Sequence, residues 1–112
     1  MKIAFSTSGK DLSAMMDPRF GRAAAFLIYD TQDQTFSVIE NAFATAGQGA
    51  GIKAAETIVK AGASSLVTGD CGPKAMAALK QAGVRVYSAK ECTIEAAVKS
   101  FTAGSLPEIA AA

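Results

Sequence analysis

Histidine does not occur in this 112-residue sequence, and with it go the commonest general base and the commonest metal ligand. Mechanisms of the Ser-His-Asp or Cys-His kind are excluded. Cysteine is scarce. Cys71 and Cys92 are the only two, too few for a disulfide framework, and they form no CxxC or Cys/His zinc spacing. An excess of one charge is missing as well: eleven Lys and Arg against ten Asp and Glu leave a net charge of +1. General binders of nucleic acid or of membrane surfaces show a basic excess or stripe, so neither partner is expected, and any positive site must be local. No run approaches the ~18 apolar residues of a membrane span, and Met1-Lys2-Ile3-Ala4-Phe5 is too short for a secretory signal. A cytoplasmic protein is expected. What is abundant is apolar character, at 50% of residues, enough for one domain over residues 1–112 with a single core.

Taken in order, Lys2 to Thr7 sets Ile3 and Phe5 on one face with Ala4 between them and then meets Ser8-Gly9-Lys10, the pattern of a strand ending in a turn. Residues 8 to 23 form a loop of unusual length for a small domain, which marks it as functional or mobile. Ala24 to Asp30 and Thr35 to Glu40 read as strands joined through Thr31-Gln32-Asp33-Gln34 in a hairpin, although the Asn-Gly signal is lacking. Residues 49 to 61 carry Ile52, Ala55, Ile58 and Val59 on one side of a helix that Gly62 stops. Two short strands follow at Ser64 to Gly69 and Arg85 to Ala89. Between them Pro73 opens a helix faced by Met76, Leu79 and Ala82; Ile94, Val98 and Phe101 face a third. Ser105 to Ala112 reads as a frayed tail.

The order β-β-β-α-β-α-β-α predicts an α/β fold with a five-stranded mixed sheet, strand two antiparallel, flanked by about three helices. Parallel strands need crossover helices, whereas strands two and three pair through their short turn. Four loops then share the carboxyl edge, where ligands bind in open α/β sheets.

The first of these loops contains Asp17-Pro18-Arg19-Phe20-Gly21-Arg22. Pro18 and Gly21 give it a fixed shape, and two guanidinium forks, Arg19 and Arg22, suit a small anionic ligand; two solvated arginines around a core phenylalanine are an equal alternative. The second, Gly47-Gln48-Gly49-Ala50-Gly51-Ile52-Lys53, opens a helix and presents N–H groups and a dipole end to an anion. It is not a P-loop, because Ala54 follows Lys53 where Ser or Thr is required, and its G-x-G-x-G spacing is not the dinucleotide fingerprint. Alone it equally fits a flexible loop that lets the helix pack closely. The third, Gly69-Asp70-Cys71-Gly72-Pro73-Lys74, places a thiol at a helix start, where dipole and lysine are expected to lower its pKa towards a thiolate able to ligate metal, unless Cys71 simply packs as a small hydrophobe. The fourth, Lys90-Glu91-Cys92, brings a second sulfur. Across the rim Lys10, Arg19, Arg22, Lys53, Lys74 and Lys90 stand against Asp11, Asp17, Asp70 and Glu91, a modest positive excess suited to a compact anion.

Asp17-Pro18-Arg19-Phe20-Gly21-Arg22 after an amino-terminal strand, the glycine segment, Val67-Thr68-Gly69-Asp70-Cys71-Gly72-Pro73-Lys74-Ala75 and Gly83-Val84-Arg85-Val86 together resemble the dinitrogenase iron-molybdenum cofactor biosynthesis family over nearly the whole chain. The resemblance implies a ribonuclease H-like mixed sheet, in agreement with the order of elements. It also implies binding of an anionic metal-sulfur cluster rather than catalysis. That cluster is expected to be a molybdenum-copper sulfide, as in a small stand-alone relative, or alternatively an iron-molybdenum cofactor precursor or an iron-sulfur cluster. Cluster donor or acceptor proteins are the implied partners of a monomer or weak dimer. Many relatives carry a histidine before the first helix, whereas Ala44 to Gly51 contains none. The cluster must then be ligated by Cys71, or less readily by Cys92, or held without covalent bonds by Lys10, Arg19, Arg22, Lys53, Lys74 and the backbone around Phe20, Gly21, Gly47, Gly49, Gly51 and Gly72. Non-covalent holding is favoured, because inorganic sulfide completes the coordination of such a cluster. Met15 and Met16 offer soft thioethers but more often only pack.

Rival readings belong to other classes. A two-metal nuclease is disfavoured because Lys2 to Thr7 has no carboxylate and Asp70 alone builds no two-metal site. A phosphometabolite-binding sensor uses the same arginines and glycines, and a protein-docking regulatory module uses an exposed Phe20.

Overall fold

Lys2–Thr7 forms the first strand, β1, whose residues from Ile3 onward are all buried, as befits a strand covered on both faces. The computed structural model describes residues 1–42 and 49–109. Among these, β2 (Ala25–Asp30), β3 (Thr35–Glu40), β4 (Ser65–Thr68) and β5 (Arg85–Ser88) complete a five-stranded sheet in the order β3-β2-β1-β4-β5. β2 runs antiparallel to β1 and β3, and β4 runs parallel to β1 and β5. This is the mixed sheet that the order of elements predicts, and it is compatible with a ribonuclease H-like arrangement. Helices α1 (Ala50–Lys60), α2 (Pro73–Gln81) and α3 (Ile94–Thr102) flank it.

Strand alternation sorts the core into two layers. Ala4, Phe26, Ile28 and Leu66 pack with Ala54 and Ile58 of α1 and Leu79 of α2; Ile3, Phe5, Leu27 and Val67 pack with Ile94 and Ala97 of α3. α1 and α2 therefore cover one face and α3 the other. The hairpin turn from β2 to β3 closes with Gln34 in the left-handed region at φ 59°, a position commonly filled by Gly or Asn, which explains why the turn lacks the usual signature.

One expectation is narrowed and one is corrected. The loop from residue 8 to 23, expected to be functional or mobile, is tied to the sheet. Thr7 bridges Met16, Met15 bridges Thr93 and Arg19 bridges Asp70, and the loop ends in a 3₁₀ turn over Phe20–Arg22. The segment from Ser105 does not fray through residue 109. Ser88 donates to the Pro107 carbonyl at 2.9 Å and Ile109 to that of Val86 at 2.8 Å, so these residues cover the outer edge of β5; Arg85 adds an ion pair with Glu108 at 3.5 Å.

Candidate functional site

The carboxyl edge gathers the loops as the topology requires, and backbone hydrogen bonds fix the arginine loop upon it. Asp17 donates its N–H to the Ser6 carbonyl at 2.8 Å, Asp70 donates to Pro18 at 2.6 Å and Phe20 donates to Asp70 at 3.2 Å. Ser6 donates its hydroxyl to the Asp17 carbonyl at 2.6 Å and lies 2.8 Å from the Thr68 hydroxyl. The loop is thus stitched to the ends of both β1 and β4. Phe20 anchors it: its ring is 2% exposed and sits 5.3 Å from that of Phe26. Burial of such a ring stabilises by roughly 1.5–3 kcal/mol. A docking module that used this loop would present its exposed arginines and not the ring.

Gly21 has a steric role. A Cβ there would stand 3.0 Å from both N and Cα of Gly51, while a Cβ on Gly51 would stand 3.2 Å from that of Ala75. The arginine loop, the first turn of α1 and the first turn of α2 therefore converge through two glycines and an alanine. Around this junction lies a cavity of about 370 Å³ walled by Phe20, Gly21, Gly49, Gly51, Gly72 and Lys74, with Ile52, Pro73 and Ala75. Six residues expected at the site are brought together; the last three had given no polar signal to betray them.

The electrostatics of this junction set α1 and α2 apart from α3. α3 is capped in the ordinary way, with Thr93 Oγ1 accepting from Ala96 N–H at 3.2 Å and Glu95 in its first turn. α1 begins at Gly49, in the left-handed region at φ 79°, and α2 at Gly72; among the described residues neither has a side-chain cap, and neither has an acidic residue in its first turn. Two helix starts that carry partial positive charge and border one cavity, without side-chain caps among the described residues, give the electrostatics that an anion calls for. Lys74 adds a full charge at the wall.

The other predicted cations lie apart from this wall. Arg19 points its guanidinium back to Asp17, with Nε 3.4 Å from Oδ1. Asp17 also accepts the Arg19 N–H at 2.9 Å, so the same carboxylate shapes the loop and orients its arginine. Arg22 ends the 3₁₀ turn at the surface. Lys53 pairs with Glu56 at 4.0 Å and Lys10 with Glu40 at 3.7 Å; neither lines the cavity. Gly47 lies outside the described residues. Asn41, which the sequence reading missed, donates from Nδ2 to the carbonyls of Gly21 at 3.2 Å and Ala23 at 3.0 Å. It holds the glycine turn in place from the end of β3.

The cysteines follow the packing alternative and not the thiolate one. Cys71 packs against the layer under α1 and α2, and Cys92 against the layer under α3, so the two sulfurs belong to opposite faces of the sheet. Burial, reinforced by the Asp70 charge, pushes the Cys71 thiol from an ordinary 9.0 up to about 11. Burial raises Cys92 too. The helix dipole and Lys74 do not overcome desolvation, and Cys71 stays protonated near neutrality. Among the described residues no cluster of three or more Cys, Asp or Glu stands ready for a metal ion. Because protonation of Cys71 favours the folded state, its contribution to stability is complete below about pH 9 and is lost as pH rises towards 11. Cys71→Ser is accordingly expected to flatten alkaline unfolding in this window and to leave cluster binding unchanged; pH-dependent melts and anion titrations check both.

A family model described as dinitrogenase iron-molybdenum cofactor matches residues 1–104. The apo form of the orange protein from Desulfovibrio gigas superposes with a TM-score of 0.95 at 41% identity, covering 98% of this chain and 93% of that one. A Thermotoga protein of the DUF35 family, solved by NMR, superposes with a TM-score of 0.85 at 39% identity, over 96% of this chain and 91% of that one. An uncharacterized protein of Methanocaldococcus jannaschii is 32% identical over 109 residues, covering 95% of this chain and 89% of its own. No helix among the described residues is long and apolar enough to cross a membrane.

Proposed function

From the premise that this chain belongs to the dinitrogenase iron-molybdenum cofactor family, we propose that it binds and carries an anionic metal-sulfur cluster in the cavity between the first turns of α1 and α2. The observation that carries this reading is the pair of adjacent helix starts without side-chain caps, set beside a third helix that is capped in full. The cavity wall says what kind of anion fits. Phe20, Ile52, Pro73 and Ala75 are apolar surfaces, poor neighbours for a strongly hydrated oxyanion but suited to sulfide ligands, whose diffuse charge is cheaper to desolvate. Backbone N–H groups and Lys74 neutralise that charge without forming a bond to metal.

A molybdenum-copper sulfide is the first candidate, because its coordination is completed by inorganic sulfide and asks no ligand set of a protein in which, among the described residues, no cluster of three or more Cys, Asp or Glu could hold a metal ion. An iron-molybdenum cofactor precursor is the second, and would be passed between donor and acceptor proteins. In either case the chain holds and releases its cargo and performs no turnover.

Arg19 and Arg22 do not line the cavity but adjoin in sequence two residues that do, Phe20 and Gly21, and their part is to attract the anion from outside the wall. Arg19 is exposed and already shared with Asp17, so the effect of the pair is bounded. Arg19→Ala with Arg22→Ala is expected to weaken retention of tetrathiomolybdate by about tenfold, since exposed charge pairs contribute ~1 kcal/mol or less each, with an unchanged circular dichroism spectrum. Titration followed by visible absorption measures this, and equal affinity in the double variant would remove the arginines from the site. Displacement of tetrathiomolybdate by equimolar inorganic phosphate would instead favour a phosphometabolite sensor.

A further inference from the structure

The two edges of the sheet are treated differently. The outer edge of β5 is closed by residues 107–109 of the same chain. β3 lies at the opposite end of the strand order, and among the described residues no strand pairs with its outer side. Proteins blunt such edges with proline, lysine, bulges or very short strands. β3 has none of these. It runs six residues in unbroken register with β2, reads Thr-Phe-Ser-Val-Ile-Glu, and leaves Phe36 40% exposed.

We infer that β3 is an interaction edge that pairs antiparallel with β3 of a second copy of this chain, joining two five-stranded sheets into one. The strand is complementary to itself in a definite register. A two-fold axis normal to the sheet keeps each face on its own side, so opposed residues must share a face, which requires the indices of each pair to sum to an even number. Centred on Ser37, this sets Phe36 of one copy opposite Val38 of the other and Thr35 opposite Ile39. The aromatic and β-branched pair falls on the α3 side, where Val38 already packs, and such cross-strand pairs are among the favourable ones. The single charge of the strand, Glu40, falls opposite Gln34 of the second copy, so no like charges meet.

The register also names its own test. Ser37 is exposed and lies on the two-fold axis, so Ser37→Lys opposes two ammonium groups at close range, whereas an equimolar mixture of Ser37→Lys and Ser37→Glu chains opposes unlike charges. Sedimentation equilibrium of the full chain from micromolar to near-millimolar concentration is expected to show the average mass doubling for the unaltered protein. Ser37→Lys alone is expected to stay at the mass of one chain, and the mixture to double again. A protein that keeps the mass of one chain throughout overturns the proposal. So does a Ser37→Lys variant that doubles like the parent, or a mixture that fails to regain the doubled mass.

Discussion

Gly72→Asp is expected to cost the protein its anion by on the order of 100-fold in affinity while leaving the fold as stable as before or slightly more so. Gly72 caps α2 in an extended conformation, φ −64° and ψ 160°, which any residue adopts, and a Cβ there meets nothing within 4 Å. Aspartate is among the preferred caps and favours the positive helix start, so the gain in stability is between a few tenths and about 1 kcal/mol. The same carboxylate stands at the wall of the cavity. A unit charge about 5 Å from an anion at an effective dielectric near 20 costs roughly 3 kcal/mol, and this sets the expected loss. Gly72→Asn supplies a neutral cap of the same shape and should bind far better than the aspartate variant. Thermal melts paired with tetrathiomolybdate titrations separate the two effects, which a purely structural glycine would not show. Equal affinity in Gly72→Asp and Gly72→Asn would place the anion elsewhere.

Gly69→Ala is expected to lower stability by about 1–3 kcal/mol or more, the range for forcing atoms into a filled space. The new Cβ would stand 2.6 Å from Pro18 Cβ and 2.8 Å from Pro18 Cα, and proline has little freedom to retreat. Something in the backbone must move. The same contact region carries the Asp70 N–H to Pro18 carbonyl bond, so the arginine loop detaches from β4 at the point where it is held most closely. At about 4–8 °C per kcal/mol for a domain of this class, the shift in melting temperature should be plain. A melting temperature equal to the parent's would show that the approach of Pro18 to Gly69 does not constrain the loop.

Much of this arrangement was legible in the sequence because the information was local or topological. β1 and β3 have the bounds that alternation and turn residues give them, Pro73 starts α2, and the strand order places four loops on one edge by connectivity alone. What escaped depended on distant partners. Asn41 fixes the Gly21 turn across 20 residues, and nothing near Asn41 in the sequence points there. Phe20 sits in a stretch without periodicity, so its pattern says nothing about whether the ring is inside or out. For Cys71 the dipole and Lys74, readable from neighbouring residues, favoured a lowered pKa, and packing as a small hydrophobe was the alternative; the burial that decides between them is a property of the packed layer. Residues 107–109 looked like tail because they lie near the end of the sequence and contain Pro107, yet an edge position tolerates proline.

The most direct measurement is an anaerobic visible spectrum of the purified protein before and after addition of tetrathiomolybdate with copper, followed by desalting and metal analysis. A new charge-transfer band that survives desalting, with molybdenum and copper retained together in the parent and lost in Gly72→Asp, is the predicted result. A colourless protein that retains neither metal would contradict a metal-sulfur cluster between the starts of α1 and α2.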